Sequence, residues 1–300
     1  YAPALKLITQ KNPLPFLTGT ICAHRCQTKC SRNFYDESVR IRDTKLLAAE
    51  KGYNALMASI RPTEKVSGKK AAIIGGGPTG IAAAYFLARA GIETTIFERE
   101  SCLGGVPRHV IPSFRIANET IEKDIALMEK YGVDVRCGAP APSVTELKAM
   151  GYTHILFAVG AWKPGKLEIA GDVAGAIQWM KGIKAGNISV GGNIAVIGGG
   201  NTAMDVARTA IRLGAEKVYV IYRRTAEEMP AAADEVAEAE AEGVQFKYLV
   251  KPAEILGDES VTGIRLQCME LSAVSDASGR RQPIERKGVF EELAVDSVIA

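Results

Sequence analysis

Apolar positions in this chain fall into two copies of one local pattern. In the first, Ala71-Ala72-Ile73-Ile74 is an unbroken apolar run, the mark of a strand covered on both faces, and it leads straight into Gly75-Gly76-Gly77-Pro78-Thr79-Gly80. Small and apolar residues over 81–90 predict a helix ended by Gly91, and a strand over 94–97 finishes at the acid Glu98. In the second copy, a strand over 193–197 enters Gly198-Gly199-Gly200-Asn201-Thr202-Ala203, a helix covers 204–213 up to Gly214, and a strand covers 218–222. Between the copies the pattern predicts a helix over 118–131 and strands over 133–137 and 154–158. After the second copy, Pro230 is placed to open a helix that runs to 242 and stops at Gly243. Residues 245–300 read as short strands with turns at Gly257-Asp258, Thr262-Gly263 and Ser278-Gly279, and a last strand over 293–299. Ahead of the first copy lie a helix over 42–51 and a polar linker over 61–70.

Each repeated turn has the spacing of a dinucleotide-binding fingerprint in its required setting of strand, turn, helix and strand. In the first, Gly75 permits the tight turn, Gly77 lets backbone approach a pyrophosphate, and Gly80 lets helix and strand pack closely. The helix N-terminus offers its N–H groups to phosphate oxygens. Glu98 can accept hydrogen bonds from a ribose, which fits the ADP half of FAD. The second copy is of the GxGxxA kind, with Gly198, Gly200 and Ala203. Where the first has Glu98, the second has Tyr222-Arg223-Arg224. A carboxylate there would repel a 2′-phosphate and a guanidinium would pair with it, so this site is expected to take NADPH rather than NADH. Two such sites in one chain suggest hydride transfer between two cofactors, and no Ser/His/Asp triad or acid–base pair stands out as a catalytic group. The predicted class is α/β: two Rossmann-like domains of the FAD/NAD(P)-binding type, preceded by a small helical cysteine-containing segment. The boundaries drawn are 1–66 for the helical segment, 67–161 for the FAD-binding domain and 162–300 for the NAD(P)H-binding domain.

Composition adds limits. Three hundred residues, 47% hydrophobic and 24% charged, suit about two globular domains. No apolar run reaches the roughly 18 residues of a membrane span, and no signal peptide opens the chain, so a cytoplasmic protein without a membrane partner is expected. The first residue is Tyr1 rather than Met, so the chain is expected to be a piece of a longer protein. A net charge of +3 is too small to argue for nucleic acid. Residues 1–70 hold 13 Lys/Arg against 5 Asp/Glu, which leaves the remainder acidic; that basic end is either a solvated surface or a face for an acidic partner.

Three of the six cysteines, Cys22, Cys26 and Cys30, are clustered four residues apart; Cys102, Cys137 and Cys268 read as small packed residues. Gathered thiolates in a reducing compartment suit a soft metal or an iron–sulfur cluster. Arg25, Lys29 and Arg32 would offset a cluster's negative charge. A cluster normally takes four ligands, and His24 is either the substitute or a surface residue. There is no CxxC anywhere, which argues against a dithiol relay. The Gly/Pro-punctuated stretch over 99–115 is long for a plain loop and reads as ligand-covering. Gly160 is either a close crossing beside a nucleotide or an ordinary turn glycine.

The chain resembles the flavoprotein family of the glutamate synthase small subunit and the electron-entry half of dihydropyrimidine dehydrogenase. The residues that carry the likeness are Asn12-Pro13-Leu14-Pro15, the three clustered cysteines, Gly75 to Gly80 with Glu98, Gly104-Gly105, Ile111-Pro112 with Phe114-Arg115, and Gly198 to Asp205 with Tyr222-Arg223-Arg224 and Met229-Pro230. The resemblance spans essentially the whole chain. It implies that Glu98, Arg99, Gly105, Val106 and Arg115 contact FAD, and that Asn201, Thr202, Ala203, Arg223 and Arg224 hold NADPH. It also implies 4Fe–4S clusters in the helical N-terminal region and a redox partner domain or subunit bearing the terminal acceptor site. Family members carry further cysteines ahead of the position of Tyr1 and a segment beyond Ala300 that returns to the flavin. The implied activity is an NAD(P)H-dependent flavoprotein reductase module passing electrons through clusters to that partner. The glutamate synthase small subunit itself, and a docking module without redox groups, are the alternatives. The acceptor has no recognisable site in the sequence.

Overall fold

The computed structural model describes all residues except 164–166 and 168. It divides into two compact units, Tyr1–Ala161 and Trp162–Ala300.

The first unit opens with helices α1 (Ala2–Thr9), α2 (Pro15–Ile21), the one-turn α3 (Arg25–Thr28) and α4 (Ile41–Ser59). A parallel sheet follows, with β1 (Lys70–Ile74), β2 (Glu93–Glu98), β3 (Asp134–Cys137) and β4 (His154–Phe157) in the order β3-β2-β1-β4. Helices α5 (Pro78–Arg89), α6 (Gly105–His109), α7 (Asn118–Glu129) and α8 (Val144–Ala149) connect the strands. Ile73 and Ile96 on the sheet, Ile81, Ala84 and Tyr85 on α5, and Leu127 and Met128 on α7 share one buried cluster with Leu5, Phe16 and Leu17 of the N-terminal helices. Residues 1–66 therefore sit on the same core as the first sheet.

Helix α4 runs through Gly52, where the sequence pattern predicts a stop after Lys51. That glycine is a contact point: a Cβ on it would stand 3.1 Å from Ala2 Cα and Leu5 Cβ, so it lets α1 lie against α4. Tertiary packing here outweighs the roughly 1 kcal/mol helix penalty of glycine.

The second unit holds α9 (Ala176–Lys184), β5 (Asn193–Ile197), α10 (Asn201–Arg212), β6 (Lys217–Tyr222), α11 (Ala233–Ala241), β7 (Gln245–Tyr248), β8 (Val250–Leu256), β9 (Gly263–Ser275), β10 (Arg281–Leu293) and β11 (Ser297–Ile299). Strands β11-β5-β6-β7 form a parallel sheet, and β10-β9-β8 an antiparallel one. Two sequence expectations change. The last strand is shorter than 293–299, because Leu293 belongs to β10 and only Ser297–Ile299 pairs with β5. The helix after Met229 begins at Ala233 rather than Pro230. Residues 229–232 instead run extended beside the second glycine turn, where the Ala231 N–H donates to Gly199 O (3.0 Å) and the Ala232 N–H to Asn201 Oδ1 (2.9 Å). Those two bonds use donors that a helix starting at Pro230 would leave among its unpaired first N–H groups.

Candidate functional site

The first glycine turn joins β1 to α5. Gly75 has φ +107°, and a Cβ there would overlap Ala158 O at the end of β4. A Cβ at Gly80 would overlap Gly75 O, so the helix could not sit this close to the turn. Gly77 differs from both. Its backbone is extended (φ −77°, ψ −175°), and a Cβ would meet nothing nearer than Gly105 Cα at 3.7 Å. Nothing within the protein demands a glycine there, while a group approaching the start of α5 from outside would.

Glu98 closes the same site. It is 7% exposed, and its carboxylate accepts the N–H of Gly76 on Oε2 (2.6 Å) and of Glu100 on Oε1 (2.9 Å). A carboxylate has about four lone-pair positions, so two backbone bonds orient it and leave capacity for hydroxyl donors. Gly76, which the motif alone does not single out, lies under Leu103, and a Cβ there would overlap Leu103 Cδ2 and stand 3.1 Å from Glu98 Oε2. Gly104 (φ +129°) donates its N–H to Gly76 O at 2.8 Å, and Gly105 (φ +58°) would place a Cβ 2.7 Å from Gly77 Cα. The stretch expected to cover a ligand thus starts by folding back on the turn, and α6 begins at Gly105 with Val106 half-buried behind it. Arg99 is exposed beside Glu100 (3.5 Å), and Arg115 is half-buried with its N–H on Pro112 O. Burial pushes the nearby Cys137 thiol up, and the charge of Glu98 adds to the shift.

The second turn repeats this logic between β5 and α10. Gly198 has φ +125°, which suits only glycine. Gly199 would place a Cβ 2.7 Å from the ring of Tyr222, whose hydroxyl donates to Glu228 O (2.6 Å). Gly200, at the start of α10, has extended backbone (φ −95°, ψ 172°), and a Cβ there would meet nothing within 4 Å. It stands where Gly77 stands in the first turn and has the same lack of internal reason. Asn201 turns its side-chain oxygen to the 229–232 segment, Thr202 is exposed, and Ala203 is buried at the place of Gly80.

The paired arginines at the end of β6 have different surroundings. Arg223 is exposed. Arg224 is 3% exposed, with Nε donating to Arg281 O (2.8 Å) and Nη2 to the Asp276 carboxylate (2.6 Å). The Arg224 guanidinium is thus committed to the β9–β10 hairpin rather than presented at the strand end.

Cys22 and Cys26 are exposed, Cys30 is partly so, and all three are free thiols. The N–H groups of Val39 and Arg32 hold the Cys30 thiol below its usual range. Among the described residues no three His, Cys, Asp or Glu side chains are gathered to hold a metal ion. The spacing of the cysteines alone therefore carries the cluster expectation. No helix among the described residues is long and apolar enough to cross a membrane.

The family described as pyridine nucleotide-disulphide oxidoreductase matches residues 69–297. YgfK of Escherichia coli strain K12 is 41% identical over the whole of this chain, which spans 29% of YgfK's length. The glutamate synthase [NADPH] small chain of the same organism is 29% identical over 99% of this chain and 67% of its own length. Among solved structures, Mycobacterium tuberculosis FprA in complex with NADPH superposes with a TM-score of 0.65 at 21% identity, covering 80% of this chain and 70% of FprA. That likeness concerns the fold, and it agrees with two parallel-sheet, Rossmann-type units.

Proposed function

Because the chain belongs to the pyridine nucleotide-disulphide oxidoreductase family, we propose that it is an NAD(P)H-dependent flavoprotein oxidoreductase module, with FAD in the first unit and NADPH in the second. The observation that carries this is the pair Gly77 and Gly200, two helix-start glycines that neither φ nor internal packing requires. Each leaves a helix N-terminus open to a diphosphate. Glu98 would hold the ribose of the first nucleotide, with Gly105 and Val106 beside it and Arg99 and Arg115 on the covering segment. Arg223 would meet the 2′-phosphate of the second, with Asn201, Thr202 and Ala203 lining its turn. FAD, when bound, supplies the capacity to accept a hydride and release single electrons. The protein's own part is to bind, orient and tune, which agrees with a sequence that offers no acid–base pair. Naming of the glutamate synthase relative as an NADPH small chain supports both the choice of NADPH and a partner subunit or domain that bears the acceptor site. Cys22, Cys26 and Cys30 are proposed as part of an iron–sulfur ligand set completed by further ligands.

The test is an anaerobic absorbance spectrum of the purified protein before and after NADPH. Flavin bands that bleach on addition are expected. A colourless protein that also fails to take up added FAD would sink the assignment.

A further inference from the structure

The assignment of the second glycine turn to NADPH leaves an electrostatic problem. The loop after β6 carries Arg223 and Arg224 against Glu227 and Glu228, and with Arg224 turned to Asp276 only Arg223 is left to face two carboxylates where a 2′-phosphate dianion has to dock. The cation that changes this is Arg281, from the β9–β10 hairpin. The tip of the β9–β10 hairpin lies against this loop. The Arg281 Nε donates to Glu228 Oε1 at 2.5 Å and its Nη2 to Glu227 Oε2 at 3.3 Å. Glu228 is also held by the Thr225 hydroxyl. In return, the buried Arg224 reaches out to the tip, bonding the Arg281 carbonyl and Asp276. Asp276 is itself the hub of the turn: it accepts the N–H groups of Ser278 and Arg280 and the Ser278 hydroxyl, and these bonds help hold its carboxyl down at about 2.

Resting on that reading of the second turn, we propose that the hairpin tip is part of the cofactor-specificity site, with Arg281 as a second guanidinium for the 2′-phosphate beside Arg223, and Arg224 as the residue that positions the tip. The two arginines that bridge loop and hairpin are unequal in the way this division requires. The Arg224 side chain is 4% exposed, as an anchor should be, and that of Arg281 is 45% exposed, as a ligand contact should be. A guanidinium has five N–H donors, so an Arg281 oriented by the two glutamates still has donors for a phosphate oxygen. The same glutamates become useful: they fix the direction of Arg281 before ligand arrives and so reduce the ordering cost of binding.

The experiment is calorimetric titration of the full chain with adenosine 2′,5′-bisphosphate and with 5′-AMP, in wild type, Arg223→Gln and Arg281→Gln. The wild type is expected to prefer the bisphosphate, and each variant to lose about tenfold of that preference with AMP affinity unchanged. Arg281→Lys, which keeps the charge, is expected to retain most of it. If Arg223→Gln loses the preference and Arg281→Gln does not, the hairpin proposal is overturned while the NADPH assignment stands. If the wild type shows no preference, or binds neither nucleotide, both are overturned. Equal losses in Arg281→Lys and Arg281→Gln accompanied by a lower Tm mark a purely structural arginine and also overturn the proposal.

Discussion

Gly77 and Gly80 belong to one turn and answer to opposite constraints. A methyl group on Gly80 would overlap the Gly75 carbonyl oxygen, so Gly80→Ala must push helix α5 off the turn. Overpacking of this kind costs about 1–3 kcal/mol, and the loss is expected both as a lower Tm and as lost flavin. At Gly77 a methyl group meets nothing closer than 3.7 Å in the protein. Gly77→Ala is therefore expected to cost no more than about 1 kcal/mol, the usual penalty of alanine at a helix start, and yet to lose FAD. Thermal melts and flavin content measured on the two variants separate the effects. Gly77→Ala with full flavin content would mean that no group approaches α5 at this point. Gly200→Ala is the matching test in the second unit, with stability retained and NADPH affinity lost.

Helix α2 shows how the cysteine-bearing segment is held in its unit. Asp124, on α7, is 1% exposed and accepts the N–H groups of Phe16 (3.1 Å) and Leu17 (2.7 Å) at the start of α2. Burial pushes its carboxyl up to about 7, against the opposing pull of those two N–H groups and of Lys45. The folded value lies above the unfolded one, so the folded state holds the proton more tightly. This group's contribution to stability is complete below about pH 4, declines as pH rises toward 7, and is flat above, with a slope of up to about 1.4 kcal/mol per unit. Asp124→Asn is expected to remove that slope while costing about 1–3 kcal/mol at low pH, because the amide can accept only one of the two N–H groups. Urea melts from pH 4 to 8 measure it, and an unchanged slope would assign the titration elsewhere. Contacts of this kind also mark the limit of what the sequence makes legible. Strand, glycine turn and helix are local, so both nucleotide turns and the edges of β1, β2, β5 and β6 are readable to within a residue or two. Asp124 meets residues more than a hundred positions away, Arg224 meets a hairpin more than fifty away, and Gly52 matters only because α1 lies on it. No local pattern announces such partners. The extended run before α11 escaped for the same reason, since its donors are taken by Gly199 and Asn201.

At the scale of the molecule, the proposed iron–sulfur ligation rests on the segment over 22–40, which holds Cys22, Cys26 and Cys30. That segment is thinly supported by the rest of the first unit. Its short helix α3 buries no side chain, Phe34 and Tyr35 are 87% and 88% exposed, and the three cysteines stand apart. Metal-binding loops commonly take their final form only with the metal, because ligation supplies the free energy that an absent core does not. The basic side chains Arg25, Lys29 and Arg32 would then offset the negative charge of thiolate ligands drawn together. Replacing Cys22, Cys26 and Cys30 with serine in the full protein is expected to lower iron and acid-labile sulfide content. FAD content and the bleaching of flavin by NADPH should be unaffected, because no cysteine of the trio lies in either nucleotide turn. Iron analysis and anaerobic titration on one preparation read both. Unchanged iron would remove these cysteines from the ligand set, and loss of bleaching along with iron would mean that the N-terminal segment supports the flavin site itself.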